Sequence, residues 1–357
     1  MTNPFQNSRG GICLLRLSAI GDVAHAAAVV RALQDARPER PIVWLVGRVE
    51  APLARLVSGV EVVPVDKARP LAEMVRVRRL LAGRTFEALL HAQVAFRASV
   101  LSLAVRAPVR VGFDRARGKE LQGWFVNRRV DAAPAPGEHV LDGLMRFAAA
   151  VGARPARPRW DLAIPAEVRA WAEAQLPAGS PVLAINGCAS RAVRDWPAER
   201  VGAVAAHAVR RLGWRVVLCG GPAARERVMA DAITAQAGVP LIDLVGRTTL
   251  PQLAAVLARA RGLLSPDSGP VHVATAVGTP TIGLYAVSNV RRTGPYGHEH
   301  WCVDRREEAA QRFRGRPAAA LRWNEAIDHP DAMGLIPVDA VIERLDALAA
   351  AGAVVEG

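Results

Sequence analysis

The pattern that most constrains this chain is an alternation of short apolar runs with helical stretches that is completed once, stops, and starts again. Apolar runs at 12–17, 42–46, 60–65, 88–91 and 109–112 are separated by helix-patterned segments such as 23–36 and 71–81. Short, continuously apolar runs suit strands covered on both faces, and the intervening helices supply the crossovers that parallel strands need. After Ala153-Arg-Pro-Ala-Arg-Pro-Arg-Trp160 and Pro165, a linker-like segment, the alternation resumes. Strand-like runs at 182–186, 215–219, 241–244, 262–264 and 281–285 then alternate with helices predicted at 198–212, 223–237 and 250–260. The fold predicted is α/β, with two Rossmann-like doubly wound domains, 1–160 and 161–335, facing each other across a cleft. Residues 336–357 form a C-terminal helix, periodic over 338–350, expected to pack back toward the N-terminal domain. The charged stretch 298–335 loses the alternation and is predicted to be irregular.

Composition narrows the classes of function. The 357 residues are 51% hydrophobic, yet apolar stretches such as 271–287 are broken by His, Gly and Pro. None resembles a membrane span of about 20 residues. The polar start 1–10 and Arg16 within the following apolar run do not fit a secretory signal, so a cytoplasmic location is expected. Cys13, Cys188, Cys219 and Cys302 are far apart with no CxxC spacing, which favours buried small hydrophobes over a zinc site or disulfides. A net charge of +13, mostly arginine, favours anionic partners, although an arginine-for-lysine coding bias explains the excess equally well. With aromatics at 5% and no basic–aromatic recognition motif, nucleic acid is not expected as a partner.

Three strand-to-helix turns carry the chemistry. Open α/β sheets bind ligands beyond the carboxyl ends of their strands. At Ser18-Ala-Ile-Gly-Asp-Val-Ala-His25, Gly21 allows close backbone approach and the helix N-terminus favours an anion. Asp22 is either a cap of that helix or a general base, and His25 either orients it or lines the pocket. At Ser265-Pro-Asp-Ser-Gly-Pro-Val-His272, Asp267 or Ser268 is expected to cap, with Pro270 in the first turn and the N–H groups near Gly269 and His272 aimed at a diphosphate. Between them, the segment 186–197 offers Ser190, Arg191 and Arg194, suited to phosphate oxygens or simply to a solvated basic loop. Two such halves suggest one substrate on each.

Taken together, Arg16-Leu-Ser-Ala-Ile-Gly-Asp-Val-Ala-His25, Arg194-Asp-Trp-Pro-Ala-Glu-Arg200, the 265–272 turn and Gly278-Thr-Pro280 resemble the lipopolysaccharide heptosyltransferases of glycosyltransferase family 9. The likeness covers about residues 11–297 plus the terminal helix. It implies a GT-B enzyme that takes ADP-heptose as donor and an inner-core Kdo or heptose as acceptor, with no cofactor and no essential metal. By the same resemblance Asp22 is the catalytic base. Donor contacts map to Ser190, Arg194, Glu226, Thr248, Asp267, Ser268, Gly269 and His272, with Arg191 in the same loop. Acceptor contacts map to Ser18, Ala19, Gln93 and Arg97, joined by Gly21 and His25 of the first turn and by Arg115 and Arg117 after Val111-Gly-Phe-Asp114. Arg194 and Ser268 stand where the family usually has Lys and Thr, and Ala286-Val-Ser-Asn289 replaces its usual Gly-Pro-Thr-Asp.

This chemistry is economical. A nucleoside diphosphate is already a good leaving group, so transfer with inversion needs one base for the acceptor hydroxyl and positive groups for the departing charge. The alternatives are another nucleotide sugar or acceptor on the same fold, or an epimerase or hydrolase that needs no acceptor. The basic surface also suits peripheral attachment to an acidic inner leaflet presenting a lipid-linked anionic glycan.

Overall fold

The computed structural model describes residues 10–176 and 179–353. The chain divides into two compact units, Met1–Ala163 and Ile164–Gly357. The first contains β1 (Ile12–Leu15), α1 (Ile20–Ala36), β2 (Ile42–Gly47), α2 (Ala51–Ala54), β3 (Glu61–Val65), α3 (Pro70–Leu80), β4 (Ala88–His91), α4 (Phe96–Ser102), β5 (Val109–Gly112), β6 (Arg128–Arg129) and α5 (Val140–Ala150). Its strands form one parallel sheet in the order β3-β2-β1-β4-β5-β6. In this order the chain reverses its direction of winding between β1 and β4, opening a crevice beyond their carboxyl ends. Central β1 is buried throughout, with Leu14 in register with Trp44 on one side and Leu90 on the other. Against the sheet lies α1, whose alanines at 24 and 26–28 let it sit close while favouring helix.

The second unit contains α6 (Ala166–Gln175), β7 (Val182–Asn186), α7 (Ala198–Arg210), β8 (Arg215–Cys219), α8 (Ala224–Ala237), β9 (Ile242–Asp243), α9 (Leu250–Arg259), β10 (Gly262–Pro266), α10 (Gly269–Ala276), β11 (Thr281–Tyr285), α11 (Val290–Thr293), β12 (Val303–Asp304), α12 (Arg306–Arg314) and α13 (Val338–Ala353). The sheet order, β12-β11-β10-β7-β8-β9, is the same doubly wound order, and its reversal falls between β7 and β10. The predicted pair of α/β domains is therefore observed, each unit with its own core.

Three features differ from the sequence expectation. The arginine-rich segment before residue 164 is a strap on the first unit: the Trp160 indole N–H donates to the Ala24 carbonyl at 2.9 Å, Arg159 pairs with Asp35, and the Ala163 N–H donates to Leu56. The division accordingly falls at 163–164. The terminal helix α13, expected to turn toward the N-terminal domain, buries Val341, Leu345 and Leu348 in the core of the second unit. A Cβ on Gly262 would lie 2.5 Å from the Leu348 side chain, so glycine at the start of β10 lets Leu348 sit directly against the strand. Finally, 298–335 is ordered. It supplies edge strand β12 and helix α12, and it sends Ile327, Ala332 and Met333 into the core, the isoleucine and methionine each worth roughly 1.5–3 kcal/mol of burial. Among the described residues, no helix is long and apolar enough to cross a membrane. All four cysteines are free and buried, and burial raises the thiols of Cys188, Cys219 and Cys302 to about 12.

Candidate active site

In the first unit the crevice is walled by the turns after β1 and β4. Asp22 sits in the first turn of α1, its side chain 29% exposed. Its Oδ2 accepts the Ala19 backbone N–H at 3.1 Å and is paired with the Arg16 guanidinium. No hydrogen bond reaches Oδ1 among the described residues, so Asp22 meets its helix with one oxygen and leaves the other open. Arg16 is itself buried, and its Nη1 donates to the Ala92 carbonyl, which ties the base of one turn to the other. Gln93 completes the tie: its Oε1 accepts the N–H groups of Leu17 (3.1 Å) and Ser18 (3.3 Å). Behind it, buried Gln122 donates to the carbonyls of His91 (2.9 Å) and Gln93 (3.1 Å) and accepts from the Phe113 N–H. His91 Nε2 lies 3.0 Å from Ser99 Oγ, and burial together with nearby Arg110 lowers its pKa to about 3, keeping the ring neutral.

The second crevice is built from the ends of β7 and β10. Asn186 is the polar end of an otherwise apolar strand and is 3% exposed. Its Nδ2 donates to the Cys188 carbonyl (2.7 Å) and to the hydroxyls of Ser265 and Ser268 (both 3.1 Å), which lie 2.8 Å from each other. Ser268 occupies the cap position of α10 but makes no side-chain cap bond, because its hydroxyl is held in this cluster. Asp267 does not cap either: its Oδ2 is 3.0 Å from Arg194 Nη1. The expected cap is thus absent, and α10 begins with its N-terminal dipole unopposed by its own side chains. Nearby, Glu226 Oε2 accepts the Gly221 N–H and closes the β8–α8 loop beside a narrow hollow of about 10 Å³ lined by Ile185, Cys188 and Val245. A Cβ on Gly220 or Gly221 would lie 2.8–2.9 Å from this carboxylate, so a larger residue at either position would push the Glu226 side chain aside.

Comparison with known proteins decides the family. The sequence profile of glycosyltransferase family 9 (heptosyltransferase) matches residues 74–320. The chain is 38% identical to the lipopolysaccharide core heptosyltransferase OpsX of Haemophilus influenzae, over 96% of this chain and 98% of that one. The chain belongs to glycosyltransferase family 9. In fold it resembles a family 9 glycosyltransferase from Veillonella parvula (TM-score 0.79, 20% identity, 95% of this chain and 97% of that one) and the ADP-heptose heptosyltransferase II of Escherichia coli (TM-score 0.74, 20% identity, 96% and 99%).

The candidate residues of this family 9 enzyme are distributed unevenly. Ser18, Ala19, Asp22 and Gln93 come together in the first crevice, and Arg194, Asp267, Ser268 and Gly269 in the second. His272 is buried on α10, and Thr248 is half-buried just before Thr249, which caps α9. Ser190 is exposed on the loop after β7, and Arg191 pairs with Asp328 at 2.8 Å. Arg97 and Arg115 are exposed. Three expectations for the acceptor side shift. Gly21 is a buried helical residue of α1, not part of an open loop. His25, 1% exposed, is enclosed edge-on against His139, ring centres 5.5 Å apart, so α5 covers the face expected to line a pocket. The Arg117 guanidinium is spent on Asp114, Glu138 and the Asp131 carbonyl, which makes it a brace of its own loop. Sequence reasoning missed Arg16, Asn186, Ser265 and Gln122. A charged or polar side chain within or beside a buried run was the available signal, since such a group must find a partner. Among the described residues, no group of three or more His, Cys, Asp and Glu side chains is placed to share a metal ion.

Proposed function

We propose that this chain is an inverting glycosyltransferase that moves heptose from ADP-heptose to a lipopolysaccharide inner-core sugar, Kdo or heptose. The observation that carries the reading is the contrast of two crevices: an ionisable carboxylate with one free oxygen in the first unit, and a bare helix N-terminus beside Arg194 in the second. Kinship supports the substrates, since the relative at 38% identity is a lipopolysaccharide core heptosyltransferase. In the proposed reaction the acceptor hydroxyl gives its proton to Asp22 as its oxygen attacks the anomeric carbon of the heptose. The bond from that carbon to the diphosphate breaks, and ADP leaves with the electron pair. Arg16 and the Ala19 N–H hold the carboxylate in place through Oδ2, so Oδ1 is the oxygen offered to the acceptor. Arg194 and the N–H groups at the start of α10 take up the charge that grows on the diphosphate. Glu226, whose Oε2 accepts the Gly221 N–H, stands on the donor side by the family resemblance. With that charge met by protein donors, this route requires neither a metal nor a cofactor.

An acceptor of this kind is lipid-linked and anionic, so the enzyme works on the inner face of the cytoplasmic membrane as a peripheral protein. The test is incubation of the purified chain with ADP-heptose, with and without a Kdo-terminated lipid A acceptor, followed by mass spectrometry and determination of the anomeric configuration. One added heptose with inverted configuration is expected. Retained configuration, or consumption of donor without an acceptor, overturns the proposal.

A further inference from the structure

Beside the first crevice, the loop after β5 exposes an apolar surface that the reaction does not use. Trp124 is 81% exposed, Leu121 52% and Phe96 47%. They are neighbours: the Phe96 N–H donates to Glu120 Oε2 at 2.7 Å, Phe96 packs edge-on against Phe125, and the Trp124 N–H donates to the Leu121 carbonyl. The fold enforces this exposure. Gln122 is 1% exposed and its amide is bonded to the His91 and Gln93 carbonyls, which anchors the turn from which Leu121 and Trp124 project outward. Glu120 and Leu121 hold left-handed backbone, φ 50° and 62°, which a side chain with a Cβ adopts only at a cost. Cations surround the apolar tip. Lys119 and Arg129 line a hollow of about 250 Å³ together with Leu121 and Trp124, and Arg97 follows Phe96. Between 115 and 129 there are five cations and a single acid, Glu120, whose carboxylate accepts from Phe96.

We propose that this tip is a membrane-docking element: Leu121 and Trp124 enter the interfacial region of an anionic bilayer while Lys119, Arg97, Arg128 and Arg129 meet its headgroups. An apolar tip ringed by cations is complementary to such a surface and to no neutral one, since insertion and headgroup attraction add. The inference rests on the reading of a lipid-linked acceptor, and it names the part of the chain that reaches the lipid.

The test is sedimentation of the full chain with phosphatidylcholine vesicles, with and without phosphatidylglycerol, alongside transfer to a soluble, deacylated acceptor. Wild-type protein is expected to bind the anionic vesicles and to bind the neutral ones at least tenfold more weakly, at about fivefold per engaged cation. The L121S/W124S variant should lose at least about tenfold in vesicle binding, and W124F should retain it. Transfer to the soluble acceptor should be unchanged in both, which also shows that they fold. Equal binding by L121S/W124S, no binding by the wild type, or indifference to phosphatidylglycerol overturns the docking element. The last two outcomes would leave the tip to a protein partner or to plain solvent. Absence of transfer with vesicle binding intact would instead overturn the catalytic reading alone.

Discussion

The two units share a strand order and a switch point, yet they use the same materials in opposite ways. In the first, the acid follows the first strand, and an amide from the fourth-strand loop, Gln93, grips the backbone of its turn. In the second, the acid follows the fourth strand, and an amide at the end of the first, Asn186, grips the side chains of its turn. Asp22 bonds its own helix start, so the positive end of α1 is already met by a carboxylate. Asp267 is drawn aside by Arg194, and Ser268 by Asn186, so the positive end of α10 is left for a ligand. The comparison teaches that a helix N-terminus at a switch point becomes a seat for a base or a cradle for an anion according to whether its own side chains cap it.

The comparison breaks first at Asp22. Asp22→Asn keeps an oxygen for the Ala19 N–H but removes the base, so kcat should fall by roughly 10²-fold or more while affinity for ADP, read by calorimetry, stays put. An unchanged kcat with a lowered Tm would show that Asp22 is a cap and nothing more. Next in size is Arg194→Ala. Loss of a charge-assisted contact should weaken ADP binding by about tenfold or more, and it also leaves Asp267 buried and unpaired. Adding Asp267→Asn should recover the Tm without recovering the affinity. If affinity returns as well, Arg194 serves only to hold Asp267.

How much of this was legible follows from the range of each interaction. The alternation of strands and helices is local, and both sheets were readable from it, as were the turns bearing Asp22 and Asp267. The state of those turns was not. Whether Ser268 caps its helix is decided by Asn186, 82 residues away, and whether His25 faces a pocket is decided by α5, which brings His139 against it. Arg16 was visible as an oddity in an apolar run, but its partnership with Asp22 depends on how the strand hands over to the helix. For α13 the periodicity shows which residues are apolar, and an apolar stripe of Val341, Leu345 and Leu348 fits any core of its shape. In 298–335 a dense set of charges masked Ile327 and Met333, because short 3₁₀ turns and a two-residue strand leave no period to read.

Acid sharpens the contrast further. The clamp beneath Asp22 rests on His91, held neutral with a pKa near 3 by burial and by Arg110. Its folded pKa lies below its unfolded one, so below about pH 6.5 the unfolded chain binds the extra proton and stability is lost as pH falls toward 3. The slope is up to roughly 1.4 kcal/mol per pH unit. The clamp in the second unit is made of an amide and two hydroxyls, which do not titrate there. That unit has His298, also lowered by burial, and Glu325, lowered by the Arg322 backbone N–H, but Asp195 and Asp304 are raised by burial and take up protons more readily when folded, which opposes part of the loss. Urea titrations at pH 7, 6 and 5 should therefore show falling stability in the wild type and a flatter profile in His91→Gln. An equal slope in both would place the acid sensitivity elsewhere.

The smallest effect is the most direct test of the helix end itself. Asn186→Ala removes one of the two groups that hold the Ser268 hydroxyl, leaving only Ser265, so the hydroxyl can turn to accept from the Val271 N–H, which otherwise reaches only the Ser268 carbonyl at a long 3.3 Å, and cap α10 as the sequence alone would have it. A capped end competes with the diphosphate, so ADP affinity measured well below the melting temperature should fall by about fivefold, the equivalent of roughly 1 kcal/mol. Adding Ser268→Ala removes the competing hydroxyl and should restore the affinity although it deletes yet another polar group. Recovery on deletion is the outcome that a hydroxyl contributing a ligand contact could not give. A further loss in the double variant would mean that Ser268 itself touches the diphosphate, and the cradle would then be built from side chains rather than from an open helix terminus.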